Sequence, residues 1–257
     1  MKLYIKNFSS YVSDKEDIDI KKTLKQKYKY DTRRQDSFIH LAVYGAKLLQ
    51  DKTDIKSDDE FYLTSGVGNI DVVQRTNTAV YENNEQLKLF DFINLLGNTT
   101  SYYVASAIGI KGKNIFQISN NFTYINTLIS AYASIRNSKK DAIVCAIDLV
   151  NEPDEVTKRV LGVDESCEVL SGVNYQKISL DREDAIAELE FDAKIYSLEE
   201  IKAQLVYNDN KVQMCETKRF ETMLGYNVNQ AINRCDDMVF VECFEDKYKI
   251  LRLKSLR

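Results

Sequence analysis

NTTSYYVASAIGIKGKNIFQISNNFTYINTLISAYASI, residues 98–135, is the stretch on which the reading of this chain turns. Asn98 heads it, Gly109 and Gly112 stand three residues apart, Asn114 to Ser119 follows them, and Asn121 precedes the last run, to Ile135. A helix start offers backbone N–H groups and the positive end of the helix dipole, and Asn is among the residues preferred as a cap there. Downstream, AIVCAID from Ala142 to Asp148 is a short apolar run bounded by charges, as expected of a strand covered on both faces.

Composition bounds what surrounds this stretch. The 257 residues are 44% hydrophobic and 29% charged, enough for a sizeable core in one large domain or two intimate halves. One Pro and nine Gly leave no candidate linker. A net charge of −4 with no basic stripe argues against nucleic acid, and the Lys-rich stretch from Lys21 to Lys29 reads as a solvated face. The five cysteines, Cys145, Cys167, Cys215, Cys235 and Cys243, have no paired metal spacing, so neither metal nor cofactor is expected. With no apolar run of membrane-spanning length and no signal-peptide core, a cytoplasmic protein without membrane contact is expected.

Upstream, Met1 to Phe8 alternates like an opening strand. RRQDSFIHLAVYGAKLL from Arg33 carries apolar residues at helical spacing from Asp36 to Leu49. Glu60 to Gly68, EFYLTSGVG, is a β-rich run ending in a Gly-x-Gly turn. A phosphate-binding reading of that turn would need a longer Gly pattern opening a helix, which Asn69 to Gln74 does not supply. Glu183 to Glu190 and Ser197 to Leu205 read as helices, and Met238 to Leu253 as two strands around Glu245 and Asp246.

Taken in order, the segments from Arg33, Glu60, Leu87 (LKLFDFINLLGN) and Asn98 resemble the β-ketoacyl synthases, over roughly residues 33–150. The resemblance implies a thiolase-like layered α/β/α(β/α) fold in which residues 1–257 form a single unit. A complete N-terminal half (1–165) would be followed by a shortened C-terminal half (166–257). It further implies that Leu87 to Asn98 is a loop running toward the subunit interface, that Asn98 leads a helix into a turn at Gly109 and Gly112, that Asn114 to Ser119 is a short strand, and that Asn121 occupies the position of the nucleophilic Cys at the start of a buried helix. A carboxamide cannot hold an acyl chain as a thioester.

ETMLGYNVNQAI from Glu221 resembles the family's Lys-x-x-x-Gly-His loop and the helix after it. Tyr226 then stands at a catalytic-His position and Glu221 at the Lys. The second His motif has no counterpart between Leu170 and Lys218, and the single histidine, His40, reads as structural. With no Gly-x-Ser-x-Gly motif, a hydrolase built on His40 is set aside.

What the resemblance implies is therefore a chain without catalytic residues of its own. It would be a chain-length-factor type of subunit that pairs as a heterodimer with an active ketosynthase in type II fatty-acid, polyketide or aryl-polyene biosynthesis, and meets acyl carrier protein through that complex. Phe92, Tyr102, Tyr103, Ser106 and Phe116 are the expected interface or tunnel-lining positions. Two alternatives stay open: a stand-alone acyl-CoA or acyl-carrier-protein binding module, and a thiolase-like enzyme with a relocated nucleophile at Cys145 or Cys167.

Overall fold

The computed structural model describes residues 1–13, 18–119, 121–151, 155–160, 171–205, 211–215 and 222–257. Its elements are β1 (Lys2–Val12), α1 (Ile20–Gln26), α2 (Ser37–Gln50), β2 (Glu60–Ser65), α3 (Ile70–Asn77), α4 (Leu89–Leu95), α5 (Gly97–Ile108), β3 (Asn114–Ile118) and α6 (Thr123–Ser138). These are followed by β4 (Ala142–Asp148), α7 (Glu155–Val160), β5 (Gly172–Ser179), β6 (Ala187–Phe191), α8 (Leu198–Leu205), β7 (Lys211–Cys215), α9 (Met223–Asn233), β8 (Met238–Phe244) and β9 (Lys247–Ser255). A π-helical turn over Thr78–Glu82 continues α3.

The strands form one nine-stranded sheet in the order β3-β2-β4-β5-β1-β6-β9-β8-β7. Strands β3, β2 and β4 are parallel, and β1 joins the two ends of the sheet by pairing antiparallel with both β5 and β6. Alternation along the strands separates three cores. In β4, Ile143, Cys145 and Ile147 point to an outer core with α2 and α5, while Ala142, Val144 and Ala146 point to a central core with α6 and α9. The central core also takes Leu189 and Phe191 of β6, Met238 and Phe240 of β8, and Leu251 and Leu253 of β9. On the far face of β8 and β9, Val239, Val241 and Ile250 pack on Ile201 of α8. Helices α6 and α9 thus lie between two sheet halves, giving five alternating layers of helix and strand.

Local chemistry explains the borders. Asp36 caps α2 by accepting the Ile39 amide at 3.0 Å. Gly109, at φ 81°, ends α5 in the left-handed conformation that Gly adopts without a Cβ penalty. Glu245 and Asp246, both at positive φ, make the tight turn of the β8–β9 hairpin.

Several expectations are corrected. Lys21 to Lys29 is not simply a solvated face: a short helix, α1, buries Leu24 within it. A helix does open directly after the Gly-x-Gly turn, since α3 starts at Ile70. Leu89–Leu95 is helical rather than a loop. Glu183 to Glu190 is not a helix: the chain turns and enters β6, with Ala187, Leu189 and Phe191 buried alternately, because β1 and β9 supply partners on both sides.

Gly45 sets the distance of α2 from the sheet. A Cβ there would lie 2.8 Å from the buried Tyr175 ring and 2.9 Å from Val173. Gly45→Val should destabilise the protein by about 1–3 kcal/mol, the usual cost of overpacking a close-packed core. Urea unfolding reads this directly, and an unchanged midpoint would show that β5 can give way.

Candidate functional site

The carboxyl ends of β2 and β4 and the start of α9 meet around one buried carboxylate. Asp148, the last residue of β4, accepts the Ser65 hydroxyl at 2.6 Å and the amides of Gly66 at 2.9 Å and Val67 at 3.3 Å on Oδ1. Its Oδ2 accepts the Thr222 amide at 2.9 Å. Ser65 Oγ in turn accepts the Gly68 amide at 2.8 Å, which wraps the Gly-x-Gly turn around the carboxylate. Burial pushes the Asp148 carboxyl above its ordinary range, while the Ser65 and backbone donors pull it back.

From β3 the chain passes Ser119 to Phe122 into α6. Phe122 precedes the first helical residue and takes φ 47° and ψ 32°, left-handed and unusual for a bulky side chain, and its ring is buried. Asn121 does not cap the helix. Phe122 separates it from Thr123, and Asn121 contributes instead its backbone carbonyl, which accepts Ser119 Oγ at 2.8 Å and Asn126 Nδ2 at 3.3 Å. Tyr124, fully buried, donates its hydroxyl to Gln176 Oε1. Gln176 Nε2 donates to Asn229 Oδ1 at 2.7 Å, and Asn229 Nδ2 reaches Ser10 Oγ at 2.8 Å and Ser9 O at 3.1 Å. This polar chain joins α6, β5, α9 and β1 through the centre of the molecule.

Beside Phe122 the structure places two charged residues that sequence reasoning missed. Lys249 of β9 donates from Nζ to Asn126 Oδ1 at 2.8 Å and lies 5.7 Å from the Phe122 ring centre. Directly across in register is Glu242 of β8. Both are buried, and Glu242 Oε2 has no hydrogen-bond partner among the described residues. Burial pushes the Glu242 carboxyl up to about 8 against the pull of Lys249, and burial likewise lowers the Lys249 ammonium. The signal was present in the period-two pattern: Glu242 follows Met238 and Phe240 on the core-facing side, and Lys249 precedes Leu251 and Leu253 there.

The other expected positions are spread out. Tyr226 lies within α9 and packs on Val12 of β1, whereas the contact of α9 with α6 passes through Gly225, where an added Cβ would sit 3.4 Å from Tyr124. Phe92 and Tyr102 are 49% and 65% exposed. Tyr103 and Ser106 line a shallow pocket of about 400 Å³ with Tyr30 and Arg34. Phe116 of β3 covers Gly97, whose Cβ would lie 2.6 Å from its ring. His40 is buried, donates from Nε2 to Thr32 O at 3.1 Å, and is held below its ordinary pKa by burial. Cys145 is a buried strand residue whose thiol is pushed far up by burial, and Cys167 and Glu221 lie outside the described residues. Among the described residues no helix is long and apolar enough to cross a membrane.

No family model matches the sequence, and no curated protein matches it. Solved structures do. The ishigamide ketosynthase/chain length factor superimposes with a TM-score of 0.68 at 10% identity, over 94% of this chain and 86% of that one. The fold is that of the thiolase-like ketosynthases. A ketosynthase in complex with its chain length factor from Xenorhabdus doucetiae gives a TM-score of 0.63 at 10% identity, over 98% of this chain and 99% of that one. A β-ketoacyl synthase from Burkholderia phymatum STM815 gives 0.63 at 10% identity over the whole of both chains. The layered architecture expected from the residues around Asn98 is the one observed.

Glu242 makes a pH prediction. Its folded pKa of about 8 lies above the ordinary 4.5. Its contribution to stability is therefore full below about pH 4.5 and is lost as pH rises through the folded value. Relative to the unaltered protein, Glu242→Gln should gain stability between pH 5 and 8, with a slope approaching about 1.4 kcal/mol per pH unit. Denaturant curves at several pH values measure this; parallel pH–stability profiles would mean that Glu242 is ionised throughout.

Proposed function

We propose that this chain is a non-catalytic, ketosynthase-like subunit of the chain-length-factor type. It pairs with an active β-ketoacyl synthase of a type II fatty-acid, polyketide or aryl-polyene pathway and shapes the acyl tunnel of that partner. The observation that carries the reading is the edge of the sheet. Strand β3 pairs with β2 on one side and, among the described residues, ends the sheet on the other. An open edge is a template for another strand.

The helices beside it are apolar outward: Leu89 is 66% exposed, Phe92 49% and Tyr102 65%, and Ile118 at the end of β3 is 55% exposed. Helix α4 packs on α5 and α5 on β3, so these side chains belong to neighbouring elements. Clustered apolar exposure beside an open strand suits a partner bearing an edge strand of its own. The chemistry at the start of α6 supports the non-catalytic part. Asn121 and a buried Phe122 stand where the ketosynthase resemblance calls for a thiolate, and Tyr226 is turned toward Val12.

In this reading Phe92 and Tyr102 meet the partner, and Tyr103, Ser106 and Phe116 stand behind them at the tunnel's end. Co-expression with an active type II ketosynthase from the same organism, followed by pull-down and mass determination, tests it. A one-to-one heterodimer is expected, with condensation lost on mutating only the partner's Cys. A homodimer that ignores the ketosynthase would favour a stand-alone acyl-CoA or acyl-carrier-protein binding module. Ile118→Glu combined with Tyr102→Glu should weaken the heterodimer about tenfold or more, equivalent to about 1.4 kcal/mol. Both residues are exposed, so folding should be retained; unaltered association would move the interface elsewhere. Phe116→Ala or Tyr103→Ala should lengthen the partner's products, and an unchanged product distribution from an intact complex would count against the tunnel role.

A further inference from the structure

On the α2 side of the sheet, beyond the carboxyl ends of β2 and β4, lies a cleft of about 730 Å³. Its walls include Lys21 of α1, Arg34 and Leu41 at the start of α2, Phe90 and Asn94 of α4, and Leu149 after β4. Ligands of α/β proteins gather in such crevices at the carboxyl ends of parallel strands, and this volume is within the usual range of about 300–1,000 Å³ for a small-molecule site.

We propose that this cleft binds a small amphipathic anion, in which a carboxylate, sulfonate or phosphate head is carried on an aromatic or aliphatic body that also bears an N–H or O–H donor. The inference does not depend on whether the chain pairs with a ketosynthase.

Two cations without an ion pair point to the head group. Three carboxylates line the cleft, and each is engaged. Asp19 accepts the Lys22 amide at 2.8 Å, Asp36 accepts the Ile39 amide at 3.0 Å and the Asn69 side chain, and Asp91 takes Arg75 at 2.7 Å. Asp19 and Asp36 keep their charges, so the lining as a whole is balanced, but Lys21 and Arg34 have no ion-pair partner among the described residues, and their donors are open to a ligand at the mouth. The Arg34 guanidinium lies 5.1 Å from the centre of the Phe90 ring, so cation and aromatic surface are presented together.

Backbone strain points to the same residue. Arg34 holds φ at 63°, a conformation that favours Gly over any residue bearing a β-carbon. Residues kept in such conformations concentrate at ligand-binding positions.

Asn94 specifies the donor. Its backbone carbonyl accepts Asn69 Nδ2 at 3.1 Å, but its side-chain Oδ1 is buried without a partner among the described residues. A buried acceptor left open is uncommon, and a ligand N–H or O–H would satisfy it. Leu41, Leu149 and Phe90 supply the apolar surface for the body of the ligand.

Two fluorescent probes that share an aromatic body and an N–H donor separate the contributions: anilinonaphthalene sulfonate carries an anionic head and phenylnaphthylamine does not. Titrated into the full chain, the sulfonate should bind one-to-one and about tenfold tighter than the neutral analogue. Arg34→Gly removes the cation and relieves the positive φ, so Tm should hold or rise while sulfonate affinity falls about fivefold or more and that of the neutral probe stays constant. Lys21→Gln should act in the same direction. Phe92→Ser, on the exposed apolar band, should change neither probe. Equal affinity for the two probes, sulfonate binding unmoved by Arg34→Gly, or loss of binding in Phe92→Ser would each overturn the proposal.

Discussion

Everything at the functional end of this molecule depends on the way Asp148 is buried. A carboxylate in the interior must be offset by donors, and here four of them reach Asp148 from two other parts of the chain: the Ser65 hydroxyl with the Gly66 and Val67 amides, and the Thr222 amide. The turn after β2, the end of β4 and the entry to α9 are therefore held to one point. Losing any of the three would leave a charge or several N–H groups unpaired in the core, each a penalty on the order of 1–3 kcal/mol. That constraint brings the helix of the second half against the strand ends of the first.

The polar chain from Tyr124 through Gln176 and Asn229 to Ser10 completes the alignment from inside. Both central helices carry apolar residues on nearly every other side, and apolar packing alone tolerates sliding; a directional, buried network does not. With α6 held in this way, its entry is filled rather than open. Phe122 turns its ring inward, and Lys249 reaches across from β9 to bond Asn126 above it. The groups gathered at this point are an aromatic ring, an ammonium and a carboxylate pushed toward neutrality. Such a set fills the entry to α6 as a structural plug.

Two surfaces then remain for function, on different parts of the first half. The open edge of β3 with its apolar flank suits a partner, and the cleft lined by Arg34 and Asn94 suits a small anion. Phe92, Tyr102 and Ile118 do not line the cleft, so association and ligand binding can be altered independently.

Much of the fold was legible in the sequence. A run such as AIVCAID has no polar face and can only be a strand covered on both sides; Asp36 before an apolar helical stripe, Gly109 after one, and a Glu-Asp turn between alternating strands each determine a local border by themselves. Tertiary partners decided the rest. Residues 183–190 have charges that suit a helix, yet two neighbouring strands offering unpaired backbone groups on either side drew Ala187–Phe191 into the sheet. The Asp148 cluster joins positions 65, 148 and 222, and the cleft joins residues from α1, α2, α4 and the segment after β4. Long-range closure of that kind leaves no trace in local periodicity, because the energy of a buried hydrogen bond or ion pair depends on which distant groups the topology brings within about 3 Å of one another.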